Sequence, residues 1–169
     1  FRGFLSTIHH PLSTPLLGTL YGISVGPGDP ELLTLKGLRL LKQAPVVAFP
    51  AGVKGKRGMA EQIVDEWLHA DQIRLALTFP YVQDDEVLMA AWQCATQQVW
   101  DYLQQGQDVA FVCEGDVSFY STFNYLAQTL QEQHPEATIV PIPGVCSPLA
   151  AAANLGIPLT IRHQRLVVL

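Results

Sequence analysis

The chain has 169 residues, of which 49% are hydrophobic and 15% charged, and it carries a formal net charge of −5. That size and composition give room for one domain with a sizeable core, or one domain and part of another, and exclude a disordered chain. The acidic balance excludes a general nucleic-acid binder, which needs a basic surface, and leaves room only for a local basic patch.

The first residue is Phe1 rather than Met, so the expectation is that the natural start lies upstream. Residues 1–18 hold His9, His10, two prolines and several Ser and Thr. They read as a loose extension, without the unbroken apolar run of a signal peptide. No later segment reaches the length of a membrane span. Residues 20–25 are mostly apolar and predict a strand, which passes through Gly26, Pro27 and Gly28 into a helix expected over 31–43. Asp29 is a good N-cap, Pro30 sits where a missing N–H costs nothing, and Glu31 suits the positive end of the helix dipole. Leucines at 32, 35, 38 and 41, with Lys36, Arg39 and Lys42 on other faces, make that helix amphipathic.

Pro45 resets the chain, and residues 46–49 are a short apolar strand. A glycine-rich loop over 51–58 follows, carrying Lys54, Lys56 and Arg57. Then come a helix over 59–69, a strand over 73–79 ended by Pro80, and a long helix over 84–105. Asp84, Asp85 and Glu86 open that helix and Gly106 closes it. A strand over 108–113, a loop over 114–118 and a helix over 119–133 come next. The last elements are a strand over 137–142, a turn at Pro143 and Gly144, and a small-residue helix over 147–155. Residues 165–169 read as a strand beginning.

Strands alternating with helices predict an α/β fold: a mostly parallel five-stranded sheet with helices on both faces. Residues 1–18 form the extension, 19–145 the α/β domain, and 146–169 a connecting helix and the start of a second domain. Ligands of such sheets bind beyond the carboxyl ends of the strands. Four loops leave that edge, at 26–29, 51–58, 114–118 and 143–147, and they are the candidate site.

Each loop has a plain reading beside a functional one. Gly22, Gly26 and Gly28 miss the spacing of a dinucleotide fingerprint, Pro27 has no N–H for a phosphate, and Asp29 would repel one. A turn that caps a helix accounts for the same residues. Glu114 and Asp116 at a strand end could bind a ligand or hold a proton, or Asp116 could cap the following helix. Lys54, Lys56 and Arg57 are either a solvated loop or a clamp for an anionic substrate. Cys146 and Ser147 open a helix, but no histidine lies near them in sequence, so ligand contacts or packing suit them better than nucleophilic attack. Cys94, Cys113 and Cys146 lie far apart with no Cys-x-x-Cys, as expected of reduced thiols in a cytosolic protein. The five histidines do not fall at zinc-ligand spacing with them, so no metal is expected.

The run GISVGPGDPELLTLK over 22–36 resembles the first motif of the tetrapyrrole (corrin/porphyrin) methylases. EGDVSFYSTF over 114–123 resembles the second and PGVCS over 143–147 the third. The Tyr120 to Phe123 ending, and Phe79-Pro80 followed by Asp84 and Trp92, resemble the precorrin-2 C20-methyltransferase branch most. The resemblance implies two α/β domains, S-adenosylmethionine bound in the cleft between them, and a homodimer. It implies Pro27, Gly115, Asp116, Val117, Phe119, Cys146 and Ser147 at the cofactor, Asp116 as candidate base, and Lys54, Lys56 and Arg57 at the substrate carboxylates. The implied reaction is methyl transfer to C20 of precorrin-2 or cobalt-factor II in the cytoplasm, with no nucleic-acid or membrane partner. Another ring position within the family is the first alternative. A non-catalytic nucleotide- or partner-binding α/β domain is the second. Departures from the family pattern are Ser24 for glycine, Val117 for proline, Tyr81 for methionine, and a chain end at Leu169 where the second domain is expected to begin.

Overall fold

Apolar residues at a period of two fill both faces of the central strands, and each face meets its own pair of helices. The computed structural model describes residues 16–52, 56–80 and 82–168. Residues 1–15 of the expected extension, Lys54 and Tyr81 lie outside the described residues. The strands are β1 (Thr19–Ser24), β2 (Val46–Pro50), β3 (Ile73–Leu77), β4 (Val109–Cys113) and β5 (Thr138–Ile142). All pair in parallel, in the spatial order β3-β2-β4-β1-β5. The helices are α1 (Leu35–Gln43), α2 (Met59–Val64), α3 (Asp85–Leu103), α4 (Thr122–Gln133) and α5 (Ser147–Leu155).

Every residue of β4 is buried, which explains its unbroken apolar sequence. Val109, Phe111 and Cys113 pack against Ala95, Val99 and Leu103 of α3 and Phe123, Leu126 and Leu130 of α4. Ala110 and Val112 pack against Leu40 and Leu41 of α1 and Ile63 and Val64 of α2. A one-residue slip of β4 would exchange these two sets, and each fully buried aliphatic or Phe side chain stabilises by about 1.5–3 kcal/mol. The register is therefore fixed by the core. Phe79 joins the first cluster and packs against Trp92, with ring centroids 4.6 Å apart.

Four local expectations are corrected. The helix expected from residue 31 is interrupted: Asp29 accepts the Glu31 N–H at 2.9 Å but starts only a 3₁₀ turn, Pro30–Leu32. Thr34 then accepts the Gly37 N–H at 3.1 Å and starts α1 afresh. A competing cap four residues into the predicted helix breaks the leucine stripe. Leu35 is left 87% exposed, and Gly37, Leu40 and Leu41 form the buried face. Helix α4 begins at Thr122 rather than 119, because Tyr120 has φ 51° and Ser121 caps the helix by accepting the Phe123 N–H at 3.1 Å. Of the strand expected over 165–169, residues 165–168 form none, and Leu169 lies outside the described residues. Gly18 is buried and donates its N–H to the Leu103 carbonyl at 2.8 Å, so the chain is anchored one residue before β1.

The connections fix where a ligand can enter. β1 leads through α1, on one face of the sheet, to β2 on one side. Its neighbour β4 leads through α4, on the other face, to β5 on the opposite side. The chain diverges at the carboxyl ends of β1 and β4, which opens a crevice there.

Candidate functional site

Gly26 after β1 and Gly115 after β4 stand face to face at the mouth of this crevice. Gly26 donates to the Gly115 carbonyl at 3.2 Å and Gly115 donates back at 2.8 Å. Their φ angles are 79° and 71°, a conformation that glycine adopts without the strain of a side chain. The two loops are thereby stitched together above the sheet.

A cleft of about 640 Å³ opens beside the stitch. It brings together Pro27, Lys56, Arg57, Gly115, Asp116, Phe119, Cys146 and Ser147, drawn from the four loops expected at this edge. Val117 is not among the residues at the cleft. Its side chain is 3% exposed and belongs to the core under α3 and α4, and its N–H is donated to the Ser24 hydroxyl at 2.9 Å. Four residues past the end of β4, Val117 turns its apolar side chain into the core and away from the cleft.

Asp116 is an anchor in this geometry. One carboxylate oxygen accepts from both the N–H (2.8 Å) and the hydroxyl of Ser118, and the other accepts the Gly144 N–H at 2.7 Å. Burial works to raise its pKa, but the Ser118 hydroxyl and the Gly144 and Ser118 N–H groups together hold it below the ordinary carboxylate range. A carboxylate so engaged is a weak base. The expected catalytic role of Asp116 as proton acceptor finds no support in these contacts, which make its carboxylate a fixed part of the cleft wall.

Arg57 also lines the cleft, yet its guanidinium is committed elsewhere. It meets Glu61 at 3.1 Å and Asp65 at 2.7 Å, and Arg74 on β3 meets the same Asp65 at 2.7 Å. The hydrogen bond from Arg57, then that from Arg74, holds the Asp65 carboxyl down at about 2. Helical spacing places Glu61 one turn beyond Arg57, so the pairing was open to a sequence reading. Lys56 stays exposed at the lip.

Cys146 opens α5 through its carbonyl, which accepts from Leu149 at 3.1 Å and Ala150 at 3.2 Å. No histidine is among the described residues that line the cleft, so Cys146 and Ser147 have no imidazole base there. Cys113, Tyr120 and Ser24 were not among the expected site residues. Cys113 ends β4 at the cleft floor, and burial pushes its thiol up to about 11. Tyr120, at φ 51°, stands on the rim in a conformation uncommon for a bulky residue, and nothing in its local sequence signals it. Ser24, fully buried, receives the Val117 N–H and so holds the third loop from below.

The sequence pattern of the tetrapyrrole (corrin/porphyrin) methylases matches residues 19–169. A probable cobalt-precorrin-2 C(20)-methyltransferase of Methanocaldococcus jannaschii is 37% identical over 154 residues, covering 91% of this chain and 64% of that relative. A cobalt-precorrin-2 C(20)-methyltransferase of Salmonella typhimurium is 33% identical over 152 residues, covering 90% of this chain and 63% of the relative. Among solved structures, uroporphyrin-III C-methyltransferase of Thermus thermophilus, complexed with S-adenosylhomocysteine, is similar with a TM-score of 0.59 at 27% identity. The match covers 86% of this chain and 51% of that one. The chain spans under two thirds of the length of each of these three proteins.

Proposed function

The chain belongs to the tetrapyrrole (corrin/porphyrin) methylases, and from that premise we propose that the protein is an S-adenosylmethionine-dependent C-methyltransferase acting at C20 of precorrin-2 or cobalt-factor II. The observation that carries this reading is the character of the cleft wall. Pro27 offers no N–H to a phosphate, Glu114 adds a second carboxylate, and Asp116 is kept ionised by its hydrogen bonds. Such a wall suits a cationic, phosphate-free cofactor, and a volume of about 640 Å³ falls within the usual range for small-molecule sites. The names of the two C(20)-methyltransferase relatives support the ring position.

When bound, S-adenosylmethionine would supply an electrophilic methyl to the meso carbon, the S–CH₃ bonding pair leaving with the sulfur and the meso proton passing to solvent water. The residues of this chain hold the geometry for an in-line transfer. Asp116 ties the Gly144 loop to the Gly115 loop, and Phe119 gives an apolar wall beside them. Lys56 at the lip, with Lys54 near it in sequence, would meet the substrate's carboxylates. Arg57 contributes through Glu61 and Asp65, by fixing the start of α2.

We assign residues 19–145 to a first α/β domain and 146–169 to the connection toward a second, in a cytoplasmic homodimer. The exposed Leu149, Leu155 and Ile157 support a covering partner domain, and three free cysteines support a reducing compartment. Incubation of the whole protein with both substrates, read by mass spectrometry, should give a gain of one methyl group. Its absence refutes the assignment, and a methyl placed by NMR on another ring carbon moves the protein to a different branch of the family. Calorimetric binding of ATP with no response to S-adenosylhomocysteine would favour a non-catalytic binding domain.

A further inference from the structure

Ser24 is the last residue of β1 and is fully buried between the ends of β4 and β5. Its hydroxyl donates to the Ile142 carbonyl of β5 at 2.7 Å and accepts the Val117 N–H of the β4–α4 loop at 2.9 Å. A buried hydroxyl is costly unless satisfied, and this one is satisfied by two backbone groups 93 and 118 residues away. The backbone of Gly144 lies against the same side chain. A Cβ added to Gly144 would stand 2.4 Å from the Ser24 Cβ and 3.3 Å from the Gly115 carbonyl oxygen. That close approach is what lets the Gly144 N–H reach Asp116 at 2.7 Å.

We propose that Ser24 is a positioning residue for the cleft, its hydroxyl locking the Gly115–Val117 and Pro143–Gly144 segments against each other so that Asp116 and Gly144 meet. This rests on the cofactor cleft proposed above. Ser24 touches no ligand itself and acts through Asp116. Without the hydroxyl, the Val117 N–H and the Ile142 carbonyl lose their shared partner, and the carboxylate of Asp116 is left to tie the two walls.

The test uses Ser24→Ala in the whole protein, with amide hydrogen exchange at Val117 and Gly144 referred to the amides of β4, and S-adenosylhomocysteine calorimetry across pH. Exchange at both amides should speed up about tenfold, and cofactor-product affinity should fall about tenfold, the effect of one buried hydrogen bond with its stranded partners. The acid limb of binding should move to higher pH, because the Gly144 N–H that Ser24 helps to hold against Asp116 is one of the groups that lower the Asp116 pKa. In a double-mutant cycle with Asp116→Asn, the two losses should overlap rather than add. Gly144 exchange and binding that both stay at wild-type levels while only Tm falls would overturn the proposal. If the wild-type protein does not bind S-adenosylhomocysteine, the proposed function fails, and Gly144 exchange in the variant alone decides the role of Ser24. Ser24→Cys, which keeps the volume and weakens the hydrogen bonding, serves with the same criteria should the alanine variant not fold.

Discussion

Replacing Asp116 by Asn separates an anchor from a base. The carboxylate accepts two donors from Ser118 on one oxygen and the Gly144 N–H on the other. An asparagine that keeps its oxygen on Ser118 must aim its NH₂ at the Gly144 N–H, donor against donor. The loss is one charge-assisted hydrogen bond, about 1.5–3 kcal/mol. Asp116 is only half-buried, so water recovers part of this and about 1–2 kcal/mol remains. That corresponds to about 5- to 30-fold weaker binding of S-adenosylhomocysteine, measured by calorimetry on the whole protein. With substrates saturating, kcat should change by less than about tenfold, because in the proposed function the lost bond positions the cofactor and takes no proton. An unchanged Kd together with a fall in kcat of about 10²–10⁴ would refute this reasoning and restore Asp116 as the general base.

Lys56→Ala should raise KM for the carboxylate-rich substrate several-fold, whereas Arg57→Ala should leave it nearly unchanged, because the Arg57 guanidinium is already held by Glu61 and Asp65; steady-state kinetics on the two variants checks the contrast. The same Arg57→Ala change removes the first cause of the low Asp65 pKa, so NMR titration should find that carboxyl raised from about 2 toward its ordinary value. Asp65 and Asp116 both titrate below their unfolded values, so the stability they contribute is present above the ordinary carboxylate range and lost as pH falls through their folded values. Urea melts should therefore show stability declining from about pH 4 downward, and a flat profile to about pH 2 would contradict the assigned contacts. Gly144→Ala places a methyl 2.4 Å from the Ser24 Cβ, an overpacking that costs about 1–3 kcal/mol and should show as a lowered urea midpoint.

What the sequence by itself determined is the local part of the protein. Strand apolarity, the Asp84 cap of α3 and the alternation of strand and helix all act within a few residues, and they predicted the five strands of the sheet, five helices and the four loops at one edge, along with a sixth strand at 165–169 that is not formed over 165–168. The motifs over 22–36, 114–123 and 143–147 marked three of those loops as one site, and the fold gathers them at the β1–β4 divergence. Local reading failed where two local signals competed: Asp29 and Thr34 are both good caps, and only the packing of Leu40 and Leu41 under the sheet decided which one starts α1. Tertiary structure alone decided the roles inside the site. Val117 turns into the core because α3 and α4 build an apolar layer there, and Arg57 faces Asp65 because Arg74 arrives from β3 to complete the cluster. Asp116 becomes an anchor only when Gly144, 28 residues later, is brought to it, and Ser24 matters only when β4 and β5 flank β1. Periodicity and capping are short-range and written in neighbouring residues. The hydrogen bonds that tie the loops of the site to one another span 28 to 118 residues and exist only once the sheet has assembled.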